Sequence, residues 1–292
     1  MALTIDPIVS AIGAEISGVD LRQPLEDMTA KALRDAWSKH LVLLFRGQEL
    51  GDEDLVRFSA NFGTCDKAPP NEAAVKGPGH VETLPEVTVI SNVVEAGNPI
   101  GSLGSGDLVW HTDMSYHEYP ADGSALYAIE LPEHGGGETG FLNMYAAYES
   151  LPPELEAKLH NQRAIHDFTY TSAGTLRKGF EEVDDVREAP GARHPMLRTH
   201  PVSGRTALFL GRRVNSYVIG MSVAESEALL DEVWAHTTAG DFAYKHSWQP
   251  GDLILWDNRC VMHRRDPFDS ADRRIMHRTQ LAGEVPRYLA QP

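Results

Sequence analysis

The sequence predicts a mainly β protein with flanking helices, its strands forming a two-sheet jelly-roll core. Three features point there. Short apolar runs bounded by Gly and Pro recur through the middle and C-terminal parts of the chain. Amphipathic helical patterns are few and stand toward the ends of that order. Two histidine-bearing segments, 110–113 and 256–263, lie far apart in sequence, which suits a metal held between distant strands of such a core.

Taken in order, short apolar stretches (Ala14 to Val19) are broken by Gly13 and Gly18. Residues 28–40 fit an amphipathic helix with Leu33, Ala36 and Trp37 on one side. Leu41-Val42-Leu43-Leu44-Phe45 is the continuous apolar run of a buried strand, ended by Gly47. Residues 52–62 fit a helix closed by Gly63. Residues 64–108 are rich in Pro and Gly around one strand at 86–90, and so long an irregular region predicts a functional lid. A strand at 125–131 leads into the turn 132–139. Residues 146–161 fit a helix with Pro152 and Pro153 near its start. Residues 170–192, acidic and Gly-containing, form the body of an insertion at about 165–195, expected to be mobile. Strands follow at 196–199 and 206–210. Ser222 with Glu225 three residues on is a capping-box signature for a helix to about 237. Strands at 241–248, 253–257 and 274–281 complete the chain. No repeat, low-complexity tract or linker interrupts it, so residues 1–292 are expected to form one domain.

With 42% hydrophobic and 23% charged residues the chain can bury a sizeable core. A net charge of −16 argues against nucleic acid or an anionic membrane as a partner. No run of 18 apolar residues offers a spanning helix, and residues 1–7 lack the basic and apolar regions of a signal peptide. The two cysteines, Cys65 and Cys260, are expected to be reduced thiols of a cytoplasmic protein, Cys260 serving as a small buried hydrophobe.

Chemistry concentrates in Trp110-His111-Thr112-Asp113 and in the segment Trp256 to His263. A strand repeats its side chains every two residues, so His111 and Asp113 would share one face. His263 from a distant strand would complete two imidazoles and one carboxylate on one side of a metal. That arrangement leaves open positions of the kind non-haem Fe(II) oxygenases use. Chance alone gives roughly two His-x-Asp/Glu matches in a chain of this composition. The other, His80-Val81-Glu82, falls among Gly and Pro and is given no role.

Six of the 26 Lys and Arg residues fall within 259–278. On a strand through 274–278, Arg274, Met276 and Arg278 share a face. Two inward guanidiniums need anions, because an unpaired buried charge is very costly. Internal salt bridges are one solution, and the default for Arg264 and Arg265. Carboxylate-type ligands, one a cosubstrate and one a substrate, are the other.

These residues resemble the Fe(II)- and 2-oxoglutarate-dependent dioxygenases of the taurine and aryloxyalkanoate dioxygenase (TauD/TfdA) family. The matching pieces are 110–113, the Gly-Gly-Gly-Glu-Thr run ending at Thr139, Ala146-Ala147-Tyr148, the segment 199–205, Gly251-Asp252-Leu253, Trp256-Asp257-Asn258-Arg259, His263 and 273–278, in family order. The resemblance implies a double-stranded β-helix, cupin-like, with helical insertions. It implies that His111, Asp113 and His263 bind Fe(II), that Arg274 binds the distal carboxylate of 2-oxoglutarate with Thr139 hydrogen-bonded to it, and that Arg278 binds a small anionic substrate. O2 would be the second cosubstrate, succinate and CO2 the coproducts, and the protein a homo-oligomer, dimer or tetramer. An Asp at 113, rather than the small residue of related halogenases, implies hydroxylation. Taurine dioxygenases carry a His just after an early Phe-Gly, whereas here Phe62-Gly63 is followed by Thr64-Cys65, so an aryloxyalkanoate or other carboxylate competes with taurine. Tyr116 and His117 either line the pocket or simply pack beside it. A non-catalytic metal- and anion-binding β-barrel is the alternative to the enzyme. A zinc hydrolase would use a similar ligand set but gives Thr139, Arg274 and Arg278 no task.

Overall fold

A computed structural model describes residues 2–68 and 83–290 of the chain. The motif at 80–82 and the stretch 69–82 of the expected lid lie outside the described residues.

The architecture follows from three strands that are apolar on both faces: Val42–Phe45, Gly123–Glu130 and Leu253–Asp257. Alternate residues point opposite ways. Leu43, Phe45, Ala125, Tyr127, Leu253 and Leu255 pack with Leu33, Ala36 and Trp37 of the helix Asp27–His40 and with Leu55 and Phe58 of the helix Asp52–Ser59. Val42, Leu44, Leu126, Ala128, Ile254 and Trp256 join Phe141, Leu142 and Met262 in the larger core on the other side. A sheet covered on both faces accounts for the nearly continuous apolar runs read in the sequence. Each fully buried side chain of this size contributes about 1.5–3 kcal/mol, so these faces are the main source of stability.

The strands form two principal sheets. One has eight strands in the spatial order Thr4–Pro7, Ala14–Ser17, Val42–Phe45, Leu253–Asp257, Gly123–Glu130, Ile275–Leu281, Thr88–Ser91 and Ser102–Leu103. The other has four in the order Ala243–His246, Thr139–Asn143, Val261–Arg265 and Leu108–His111, all antiparallel. Between Asn143 and Ala243 the chain leaves the sheets. It builds the helices Met144–Glu149, Pro153–Leu159 and Val223–Ala239, a three-stranded sheet around Arg163–Asp167, and the hairpin Leu197–Thr199 with Thr206–Leu208.

Most elements lie where the sequence put them, with informative exceptions. The helix expected at 146–161 is two helices, since Pro153 supplies no amide hydrogen and begins the second. The helix expected to reach 62 stops at Ser59, where the Asn61 side chain captures the carbonyls of Arg57 and Phe58. The strand Val261–Arg265 was not delineated in the sequence, because Arg264 and Arg265 disguise it. The described part of 64–108 is partly built into the eight-stranded sheet, through Thr88–Ser91 and Ser102–Leu103. Among the described residues no helix is long and apolar enough to cross a membrane. Cys65 and Cys260 are both free thiols, and Cys260 is buried.

Ser222 caps its helix as expected: its hydroxyl accepts from the Glu225 amide, and the Glu225 carboxylate accepts from the Ser222 amide at 2.9 Å. Ser222→Ala is expected to cost about 1 kcal/mol, seen as a lower urea midpoint at unchanged slope.

Candidate active site

The register of the four-stranded sheet sets the centre. His111 ends the strand Leu108–His111 and stands directly across from His263. Their rings lie 4.2 Å apart, centroid to centroid. The strand stops at His111, so Asp113 does not share its face by strand alternation as the sequence suggested. It stands in the following turn, whose next residue, Met114, holds a left-handed φ of 56°. The turn nevertheless brings the carboxylate back to both imidazoles. Asp113 Oδ1 is 3.8 Å from His111 Nε2 and 3.9 Å from His263 Nε2. All three side chains are buried, with their ligand atoms within 4.8 Å of one another.

The protonation states suit a cation. His111 Nδ1 lies 2.7 Å from the Val109 carbonyl, so it carries the proton and leaves the Nε2 lone pair facing Asp113. Burial, reinforced by His263, holds the His111 imidazole neutral well below the ordinary histidine range, and burial lowers His263 as well. Burial pushes the Asp113 carboxyl upward, but Arg278, His263 and His111 outweigh it and it titrates below the usual carboxylate range. Two neutral imidazoles and one carboxylate are thus ready to ligate without losing protons. The donor set fits Fe(II), and its one-sidedness leaves the remaining positions open.

Asp113 is held in place by Ser124, which no sequence motif announced, and by the motif residues Asn258, Trp256 and Arg278, whose part here no motif specified. The Ser124 hydroxyl donates to Asp113 Oδ2 at 2.8 Å and accepts from Asn258 Nδ2 at 3.0 Å. The Trp256 indole in turn donates to Asn258 Oδ1 at 2.8 Å. Arg278 Nη1 reaches both Asp113 oxygens, at 3.1 and 3.2 Å. Only the tertiary pairing of Gly123–Glu130 with Leu253–Asp257 brings Ser124 near this site, and no local pattern encodes that.

Arg274 presents a different problem. Its side chain is 2% exposed, and its Nε and one Nη find no partner. Burial and the nearby Arg265 lower its guanidinium to about 9. Arg265, also buried, makes no salt bridge among the described residues, contrary to the default expected for it. It donates instead to the carbonyls of Leu103 and Gly106, whereas Arg264 does pair with Asp266 at 3.5 Å. A buried cation so poorly compensated calls for an anion. Thr139, at the start of the strand Thr139–Asn143, accepts from the Trp248 indole at 2.9 Å, which frees its hydroxyl proton for a further acceptor. Thr139 and Arg274 make no direct hydrogen bond to each other. Gly137, with a φ of 72°, lies against Arg274, and a Cβ there would sit 3.3 Å from its Nε. The local chemistry fits the carboxylate end of 2-oxoglutarate.

The His111, Asp113 and His263 cluster opens onto a cavity of about 210 Å³ lined by His111, Asp113, Tyr116, Arg177, Arg212 and Arg278, among others. Tyr116 is part of this wall. His117 is not, and lines a separate cleft with His194 and Arg193. A second buried cluster, His200, Asp257 and Cys260, is satisfied internally. Asp257 is held by His200 and Arg259, and His200 Nδ1 accepts from the amides of Val202 and Ser203.

Ser124→Ala removes one of two supports of the carboxylate. It is expected to weaken Mn(II) binding at the cluster by roughly 10–100-fold, measured by calorimetry. Undiminished affinity would mean that Arg278 alone fixes Asp113.

The model of the taurine catabolism dioxygenase TauD, TfdA family matches residues 4–280. Pentalenolactone F synthase of Streptomyces avermitilis is 32% identical over 92% of this chain and 90% of its own length. The alpha-ketoglutarate-dependent 2,4-dichlorophenoxyacetate dioxygenase of Cupriavidus pinatubonensis is 32% identical over 95% of this chain and 97% of its own. Among solved structures, AAD-2 in complex with Mn(II) and N-oxalylglycine superposes with a TM-score of 0.78 at 31% identity, covering 98% of this chain and 99% of that one. These relatives favour turnover over a non-catalytic binding barrel, and the chain belongs to the TauD/TfdA family of 2-oxoglutarate-dependent dioxygenases.

Proposed function

We propose that His111, Asp113 and His263 bind Fe(II), that Arg274 and Thr139 bind the distal carboxylate of 2-oxoglutarate, and that Arg278 steers a small anionic organic substrate for hydroxylation. The observation that carries this is the convergence of two neutral imidazoles and one ionised carboxylate at the floor of a cation-lined cavity. The two sheets flanking that cavity are read as the halves of a double-stranded β-helix, and residues 1–292 as one catalytic domain. When bound, Fe(II) and 2-oxoglutarate supply the oxidising power: O2 and 2-oxoglutarate are consumed, succinate and CO2 leave, and one oxygen atom enters a substrate C–H bond.

The protein's part is position and charge. Asp113 stays ionised because Arg278 and Ser124 both favour its charged form. Arg274 and Thr139 turn a costly buried cation and a free hydroxyl proton into a carboxylate site of fixed orientation. Trp248, by donating to Thr139, dictates which way that hydroxyl points. Tyr116, on the cavity wall, is backed by Phe168, whose ring stacks on it at 4.6 Å. Arg278 has an unpartnered Nε besides its contact with Asp113, so it can accept a substrate anion while still bracing the ligand.

An aryloxyalkanoate or another carboxylate, or an alkylsulfonate such as taurine, suits this cationic cavity. The kinship to an enzyme named for 2,4-dichlorophenoxyacetate supports the first.

Two measurements test the proposal. Purified protein with Fe(II), 2-oxoglutarate and O2 should release succinate, accelerated by an accepted acid, and His263→Ala should lose both this release and Mn(II) binding. Succinate release undiminished in His263→Ala would overturn the ligand assignment. Separately, 2-oxoglutarate at about 100 times its Kd should stabilise the Mn(II) form by about 2.7 kcal/mol, visible as a raised Tm. Arg274→Met should abolish that shift, and a shift that persists would remove Arg274 from the cosubstrate site.

A further inference from the structure

The cavity holds more positive charge than one substrate anion needs. Besides Arg278 it is lined by Arg177 and Arg212, whereas Asp113 is its only acidic lining residue among the described residues. Arg278 is already engaged with Asp113. Neither Arg177 nor Arg212 makes an ion pair among the described residues. Arg212 is 4% exposed, its Nη2 donates to the Asp167 carbonyl at 2.7 Å, and its Nε has no partner. Arg177, half-buried, also leaves its Nε unpartnered.

Both guanidiniums are positioned by aromatic rings instead. Arg177 lies 4.5 Å from the Tyr116 ring centroid and 4.9 Å from that of Phe168, and Arg212 lies 5.1 Å from Tyr116. Ring contacts of this kind orient a cation without neutralising it. Burial lowers the Arg212 guanidinium below its ordinary range; Tyr116 opposes this and the nearby Arg177 charge adds to it. Holding two unneutralised guanidiniums beside one ring is costly, and the cost is relieved by an anion that both can reach.

The segment bearing Arg177 is anchored for such a task. The Arg177 amide donates to the Thr169 carbonyl, Tyr170 pairs with Leu176, and the Ser172 carbonyl accepts from the Val109 amide at 3.0 Å. The insertion therefore docks on the strand that carries His111 and delivers Arg177 to the cavity wall.

We propose that Arg177 and Arg212 form a second anion subsite around Tyr116, and that the substrate is a small organic dianion with one anionic group at Arg278 and the other at this pair. The assignment rests on the hydroxylase reading above and narrows its substrate class. Dicarboxylates and sulfonated carboxylates fit; a monoanion leaves the pair uncompensated.

Matched probes test it on the full-length protein with Mn(II) and 2-oxoglutarate bound. Phenoxyacetate is compared with 4-carboxyphenoxyacetate, and propanesulfonate with 3-sulfopropanoate, by calorimetry. The dianion of at least one pair should bind roughly tenfold or more tightly than its monoanion, the scale of one charge-assisted contact. Arg177→Gln, on the half-buried segment, should erase most of that advantage while Mn(II) and 2-oxoglutarate affinities report an intact site. Arg212→Gln should do the same, and Arg212→Lys should restore part of it. No dianion preference in the wild type, or equal weakening of both members of a pair in Arg177→Gln, would overturn the subsite. If 2-oxoglutarate-dependent succinate release persists while the preference is absent, only the subsite fails. If that release is itself absent, the hydroxylase reading fails.

Discussion

The register that sets His111 opposite His263 is the constraint on which the site depends. Cross-strand partners in an antiparallel sheet are held within about 5 Å by backbone hydrogen bonds alone, so two imidazoles meet before any metal is considered. A slip of one residue would turn His263 away from the cavity and bring Arg264 or Met262 in its place. The pattern of apolar faces guards against that slip only weakly in the large sheet, where both faces are apolar. In the four-stranded sheet the guard is stronger, since Met262 lies in the core and Arg264 beside Trp110 on the outside.

Charge explains what the register leaves open. The protein is strongly acidic as a whole, yet its cavity and the ground behind it collect Arg177, Arg212, Arg265, Arg274 and Arg278. Ordinary folding would pair these groups with some of the 42 carboxylates. Among the described residues only Asp113 forms an ion pair with any of them, and it is itself a metal-ligand candidate. Buried cations kept short of anions are a standing cost to stability, offset by the apolar faces of the sheets and relieved when acidic ligands arrive. Such a site favours function over stability, which is why local rules of residue choice fail there.

Much of this was legible in the sequence. Val42–Phe45 and Leu253–Asp257 announced themselves as apolar runs, and Ser222 with Glu225 as a helix start. His111, Asp113 and His263 were identified from residue types that suit a metal and from the ordered motifs around them, since the His-x-Asp spacing alone is expected by chance. What stayed hidden depends on tertiary pairing. Ser124 and Trp248 are ordinary polar or aromatic residues until strand neighbours carry them to Asp113 and Thr139, and the motif residue Asn258 does not by itself reveal that it braces Ser124. Arg177 and Arg212 lie in segments read as an excursion and as the loop after a strand, with nothing local to distinguish them from surface arginines. Arg265 was expected in a salt bridge because a sequence cannot show that two backbone carbonyls, at Leu103 and Gly106, stand closer than any carboxylate. The break at Pro152 and Pro153 could have been read, since a helix passing through both would forfeit two amide donors.

Val109 serves two masters. Its amide is held by Ser172 and its carbonyl by the His111 ring. One residue therefore links the arginine-bearing insertion to the tautomer of an imidazole that faces Asp113. Anything that pulls the insertion inward or lets it relax must strain or release that ring through a few covalent bonds. The outer wall of the cavity and the electronic character of its floor are in this way geared together.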